Sequence, residues 1–115
     1  MIKFKCLYFQ SDSGKSPVRD FIDSLHERTQ QKFFNVIDIL AEHGKRLPKP
    51  HSDYLGDGIH ELRFIGMEGK VRIFYFFYDK NIIILTNGFI KKTQKAPKRE
   101  IELAKNRMKL YFAKL

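Results

Sequence analysis

The chain has 115 residues, 43% of them hydrophobic, which is enough for one hydrophobic core and too few for two ordinary domains, so 1–115 reads as a single domain. Its formal charge is +9, and nine of its 22 Lys and Arg residues fall in 90–115 against only Glu100 and Glu102. That imbalance favours a polyanionic partner: nucleic acid, an acidic protein or an anionic membrane. The single Cys6 excludes an intramolecular disulfide and a multi-thiolate metal site, and its place in an alternating apolar run suits a small core residue. No apolar run approaches the ~20 residues that span a bilayer, and the first residues lack the order of a signal peptide. A cytoplasmic protein with no membrane partner is expected.

The elements follow in order. Residues 2–9 alternate Ile2, Phe4, Cys6 and Tyr8 against Lys3, Lys5, Leu7 and Phe9, a strand pattern that Ser11-Asp-Ser-Gly14 ends. Ser16-Pro17 starts a helix: a serine oxygen can accept from orphan amides, and proline at the first helical position loses nothing. Val18, Phe21, Ile22 and Leu25 follow at helical spacing. A second helix over about 29–43 presents Phe33, Val36, Ile37, Leu40 and Ala41 on one face, with Gly44 placed to end it in a left-handed conformation. Residues 45–58, rich in Pro, Gly and Lys, read as a surface loop. Three consecutive antiparallel strands follow, 59–63, 70–78 and 82–90, and a basic tail, Lys91-Lys-Thr-Gln-Lys95. After Pro97, Ile101, Ala104, Met108, Tyr111, Phe112 and Leu115 mark an amphipathic terminal helix whose outer side is basic. The expected fold is α+β in the order βααβββα, an antiparallel sheet whose apolar face is packed by the two N-terminal helices.

The hairpin loop Gly66–Gly69 would pair Arg63 with Arg72. Leu62, Phe64, Val71, Ile73, Tyr75 and Phe77 then share a core face, while Glu61, Arg63 and Arg72 share an exposed, charged one. Opposed arginines repel by about 0.2–1 kcal/mol, which a bound anion would relieve. A two-residue turn at Asp79-Lys80 would bring Asn87, Phe89 and Lys91 onto the arginine face. Cations converging beside an aromatic ring can hold a phosphate and stack a base, as single-stranded RNA recognition requires, and fixed cations can stabilise charge developing on phosphorus.

Signatures of other chemistries are missing: there is no phosphate-binding glycine loop, no helical His-Glu-x-x-His and no nucleophile elbow. His26, His43, His51 and His60 lie at no metal-binding spacing, so neither a metal nor another cofactor is expected.

Ser16-Pro-Val-x-Asp-Phe21, Gly58-Ile-His-Glu-Leu-Arg63, Val71-Arg-Ile-Phe-Tyr-Phe-Phe77 and Gly88-Phe-Ile-Lys-Lys-Thr-Gln-Lys-Ala-Pro97 together resemble the phage-derived, HigB-like branch of the RelE/ParE toxin superfamily. The resemblance spans nearly the whole chain. It implies a small α+β toxin of a type II toxin-antitoxin system that cleaves messenger RNA on the ribosome and is silenced by a cognate antitoxin, commonly a helix-turn-helix protein. By position it places the catalytic cations on Arg63, Arg72, Lys91, Lys92 and Lys95. Phe89, Lys98, Arg99, Lys49 and His51 are the expected RNA contacts around them. No general base comes with the match, so a lysine activated by burial and neighbouring cations would have to serve. Two other readings stand beside it: a ParE-like toxin that poisons a topoisomerase through an interface patch, and a nucleic-acid-binding module without catalysis.

Overall fold

The computed structural model describes residues 3–114. Ile2 of the first strand and Leu115 of the terminal helix lie outside the described residues. A five-stranded mixed sheet is built from β1 (Lys5–Tyr8), β2 (Ser52–Gly56), β3 (Ile59–Gly66), β4 (Gly69–Tyr78) and β5 (Ile82–Lys91) in the spatial order β1-β5-β4-β3-β2. β1 runs parallel to β5, and every other pair is antiparallel. Three helices complete the α+β fold: α1 (Pro17–Asp23), α2 (Glu27–His43) and α3 (Lys98–Ala113). None among the described residues is long and apolar enough to cross a membrane.

The β3–β4 register forms as expected; on β5 the expected face is kept, with Asn87, Phe89 and Lys91 on the side of Arg72, but the register differs from that of a two-residue turn and shifts at Phe74–Tyr75. Arg63 pairs with Arg72 across a two-residue turn at Met67-Glu68, and Arg72 pairs with Phe89. The turn from β4 to β5 takes three residues rather than two, Asp79, Lys80 and Asn81, with Asp79 at φ 58°. Where a loop was expected over 45–58, the chain makes a single 3-10 turn at Gly44–Arg46 and then the edge strand β2, so the order is βααββββα. The signal for β2 lies in its turn: Asp57 and Gly58 both take positive φ, the conformation that suits Asp-Gly in a two-residue hairpin and matches the strand twist.

Alternation sends side chains to two cores. Leu62, Phe64, Val71, Ile73 and Tyr75 join Phe33, Val36 and Leu40 of α2 and Val18 and Ile22 of α1. Phe4, Cys6 and Tyr8 of the first strand pack on that side, and Leu7 and Phe9 on the other. Burial, with Asp38 nearby, pushes the Cys6 thiol up to about 11, which removes it as a nucleophile near neutral pH. The opposite face is not simply charged. Phe9, Ile59, Phe74, Phe76, Ile84 and Ala104 form a second core under α3.

Helix ends are tied to the sheet. Ser16 precedes α1 in extended conformation without a side-chain cap bond, so Pro17 and the acidic Asp20 of the first turn mark this start. At α2 the Glu68 carboxylate of the β3–β4 turn accepts from the His26 amide at 2.6 Å and the Thr29 hydroxyl at 2.7 Å, a favourable place for an anion. Gly44 ends α2 at positive φ, though its ψ of −124° departs from the left-handed helical region. α3 is docked by Lys105 on Asp57 at 2.9 Å and by Arg107, whose guanidinium donates to the Thr86 carbonyl at 2.8 Å.

Gly88 is where α1 meets β5. A β-carbon there would come within 2.6 Å of the Phe21 ring and 2.7 Å of Ile73. Gly88→Ala is expected to destabilise the fold by about 1–3 kcal/mol through overpacking, read as a lower urea midpoint with an unchanged slope.

Candidate functional site

The strand pairings assemble one row of the expected site. Arg63, Arg72 and Phe89 lie side by side on β3, β4 and β5, with Lys70 opposite Lys91 one step further along. Directly opposed side chains on neighbouring strands sit about 5 Å apart at Cβ, so this row is a contiguous surface. Phe89 packs edge-on against Phe74 at 5.2 Å between ring centres, which fixes the orientation of its ring.

The arginines differ from expectation in burial and in charge. Arg72 is 7% exposed and Glu61 1%, so this part of the face is not open to solvent. The anion that relieves the opposed arginines is built in. Glu61 accepts from Arg63 Nε at 2.6 Å with one carboxylate oxygen and faces Arg72 Nε at 3.8 Å with the other. Arg72 Nη1 donates to the Val71 carbonyl at 3.1 Å. Burial lowers the Arg72 pKa; the Glu61 charge opposes that shift and the Arg63 charge adds to it. Arg63 also donates to Asp53 at 3.1 Å. Two guanidiniums are thus matched by two carboxylates.

Asp53 escaped sequence reasoning because it belongs to β2, the strand hidden in the Pro- and Gly-rich stretch. It pairs with Glu61 in the sheet, and Lys49 approaches it at 3.5 Å. Of the expected RNA contacts in that stretch, Lys49 therefore has an internal carboxylate partner. His51 contributes its carbonyl, which accepts from the Arg63 amide at 2.8 Å, while its side chain is exposed.

The basic tail is different. Lys92, Lys95, Lys98 and Arg99 are exposed and Lys91 half-buried, and among the described residues none of the five forms an ion pair. Exposure of Lys92 and Lys95 also removes the burial that would turn either into a base. The carboxylate that the fold brings to this face is Glu100, in the first turn of α3. Its Oε1 accepts from Asn87 Nδ2 at 3.0 Å, and the same nitrogen donates to the Glu100 carbonyl at 3.2 Å. Asn87 is oriented in turn by Thr86, whose hydroxyl donates to Asn87 Oδ1 at 2.7 Å. Asn87 is the position on β5 preceding Phe89 on the same face. Only its place on that face was legible beforehand; its link to Glu100 depends on how α3 docks.

The family model described as Phage derived protein Gp49-like (DUF891) matches residues 20–109. The chain belongs to this Gp49-like family. The family is associated with RelE/HigB-type toxins, and in this Gp49-like chain the match takes in every expected site residue from Lys49 to Arg99. No curated protein matches the sequence.

The two arginines are expected to respond differently to removal. Arg63→Ala takes from the buried Glu61 carboxylate the one hydrogen-bond donor it has among the described residues and should cost about 3–5 kcal/mol. Arg72→Ala removes the farther charge and leaves that bond in place, so it should cost about 1–3 kcal/mol. Urea unfolding of both variants measures the difference, and equal losses would show that the Arg63–Glu61 bond carries no special structural weight.

Proposed function

We propose that this Gp49-like protein is the toxin of a type II toxin-antitoxin system, of the HigB-like RelE/ParE kind, and that it cleaves messenger RNA on the ribosome. The observation that carries the reading is the run of cations from Lys91 to Arg99, none in an ion pair among the described residues, which leaves β5 beside the fixed ring of Phe89. Arg63 and Arg72 are matched by internal carboxylates, so they shape the row and fix the strand register, and the tail supplies the uncompensated positive charge.

In the proposed reaction the RNA 2′-hydroxyl attacks the adjacent phosphorus and the bond to the 5′ oxygen of the next nucleotide breaks, leaving a 2′,3′-cyclic phosphate and a free 5′-hydroxyl. Glu100, held by Asn87, accepts the 2′ proton. An ammonium of the Lys91, Lys92 and Lys95 cluster gives a proton to the departing oxygen while its neighbours balance charge on phosphorus. Phe89 stacks the flanking base. The match to the HigB-like pattern is what supports the ribosome as the setting and a helix-turn-helix antitoxin as the partner. An acidic antitoxin segment between the arginine row and the tail would silence the protein by neutralising the tail.

One observation favours a topoisomerase-binding alternative: α3 exposes Leu103, Leu110 and Phe112, an apolar set that a protein partner could cover. The two readings part on their products.

Primer-extension mapping of a messenger in a translation system tests the proposal. Discrete cuts inside the reading frame are expected with the native protein. Lys92→Ala should cut about 10²-fold more slowly and Glu100→Gln comparably, both with native melting temperatures. An intact messenger together with blocked DNA supercoiling would select the topoisomerase reading instead.

A further inference from the structure

A second cationic, aromatic surface lies at the other end of the sheet. β4 runs from Arg72 in the row described above to Tyr78, six residues and about 20 Å away, and the turn after it carries Lys80 and Asn81. There a cleft of about 670 Å³ opens, lined by Phe4, Lys45, Arg46, Lys80 and Asn81 among others. Its size suits a small polar ligand or a single nucleotide.

Four rings form a continuous path into this cleft. Tyr54 meets His60 at 4.8 Å with the rings tilted by 50°, His60 meets Phe77 edge-on at 5.0 Å, and Phe77 meets Phe4 edge-on at 5.6 Å. Lys45 Nζ sits 5.4 Å over the Phe77 ring. Tyr54 begins the path 57% exposed, yet it is not loose: its hydroxyl accepts from the Gly58 amide at 2.9 Å in the β2–β3 turn. A large aromatic ring held rigid and left in water contributes little to the core and suits it for contact with another molecule.

The charge points the same way. Lys45, Arg46 and Lys80 form no ion pair among the described residues, and Glu42 is the one carboxylate lining the cleft. The C-terminus of α2 points here and would ordinarily repel an anion. Three carbonyls of its last turn are occupied: Ile39 by the His43 ring at 3.0 Å, Leu40 by the Gly44 amide and Ala41 by the Phe4 amide at 2.8 Å. Burial and the nearby Lys45 hold His60 below its ordinary value, and its ring is stacked on Tyr75 at 5.3 Å within the path.

We propose that this cleft is a second nucleic-acid site, which takes an unpaired segment of single-stranded RNA by stacking bases on Tyr54 and Phe4 and seating the flanking phosphates on Lys45, Arg46 and Lys80. Flat rings beside separated, unpaired cations fit alternating bases and phosphates. An acidic peptide would use the cations and leave the rings idle. The site stands apart from Lys91, Lys92, Lys95 and Glu100, so it does not depend on the cleavage reading.

The test uses a short 2′-O-methyl oligouridylate carrying one 4-thiouridine, with the full chain bearing Lys91→Ala, Lys92→Ala, Lys95→Ala, Lys98→Ala and Arg99→Ala so that the tail is silent. Fluorescence anisotropy should still show binding. Tyr54→Ala should weaken it about 10-fold, the scale of one lost base stack, and Lys45→Glu with Arg46→Glu at least as much. Ultraviolet cross-links should map to peptides containing Phe4, Tyr54 or Phe77, a readout that needs no substitution in the cleft. Cross-links confined to α3 and the tail, or affinities within about 2-fold of each other across these folded variants, would overturn the proposal. So would full displacement by polyglutamate with no contribution from Tyr54, which would identify an acidic-peptide site. Messenger cleavage is scored separately, so failure here leaves the cleavage reading standing, and failure there leaves this one.

Discussion

The buried carboxylate of Glu61 is the constraint on which the face of the sheet depends. Two arginines stand opposite each other on β3 and β4, and a pairing of that kind repels unless a negative charge lies within reach of both. Glu61 supplies it from the same strand, two residues before Arg63, and the next rung of the ladder seats it opposite Phe74. A shift of β3 by one residue would send Glu61 and Arg63 into the α1–α2 core and leave Arg72 on the other face without its carboxylate. The charge cluster and the hydrophobic alternation therefore select the same register.

Neutrality of that cluster redirects attention along β5. With Arg63 and Arg72 matched by Glu61 and Asp53, the excess charge of the chain is carried by the segment that leaves β5 and enters α3. α3 covers one half of the face as a second hydrophobic core and, through Glu100 and Asn87, brings a carboxylate to the edge of the other half. The same sheet thus offers a dry half that anchors the helix and a polar row beside it. At its opposite end the aromatic path from Tyr54 to Phe4 uses side chains of the other face, so the two cationic surfaces share a scaffold without sharing residues.

Much of this was legible in the sequence where the information is local. Ser16-Pro17 marked α1, the spacing of Phe33, Val36 and Leu40 marked α2, and Gly66 with Gly69 fixed the register that opposes Arg63 and Arg72. What escaped depends on contacts distant in sequence. Strand β2 lay in a stretch whose prolines and glycines outweighed the Asp57-Gly58 turn signal, and with β2 went Asp53, the partner of Arg63. Burial of Arg72 could not be read from its strand, because alternation tells which face a residue shares but not what lies over that face. Phe74 and Phe76 on the same parity as Arg72 were the available hint of a second core, and α3 was the apolar surface needed to complete it.

The account turns on the claim that the tail lysines, and not the sheet arginines, carry the charge that meets RNA. The salt dependence of binding tests it directly, because each cation that neutralises a phosphate adds about 0.7 to the slope of log K against log salt for a single strand. With a short uncleavable oligoribonucleotide, Lys92→Ala should lower the magnitude of the slope by roughly that amount, and Arg63→Ala, whose charge is already balanced by Asp53 and Glu61, should leave it unchanged. A slope that falls with Arg63→Ala and holds with Lys92→Ala would contradict the account.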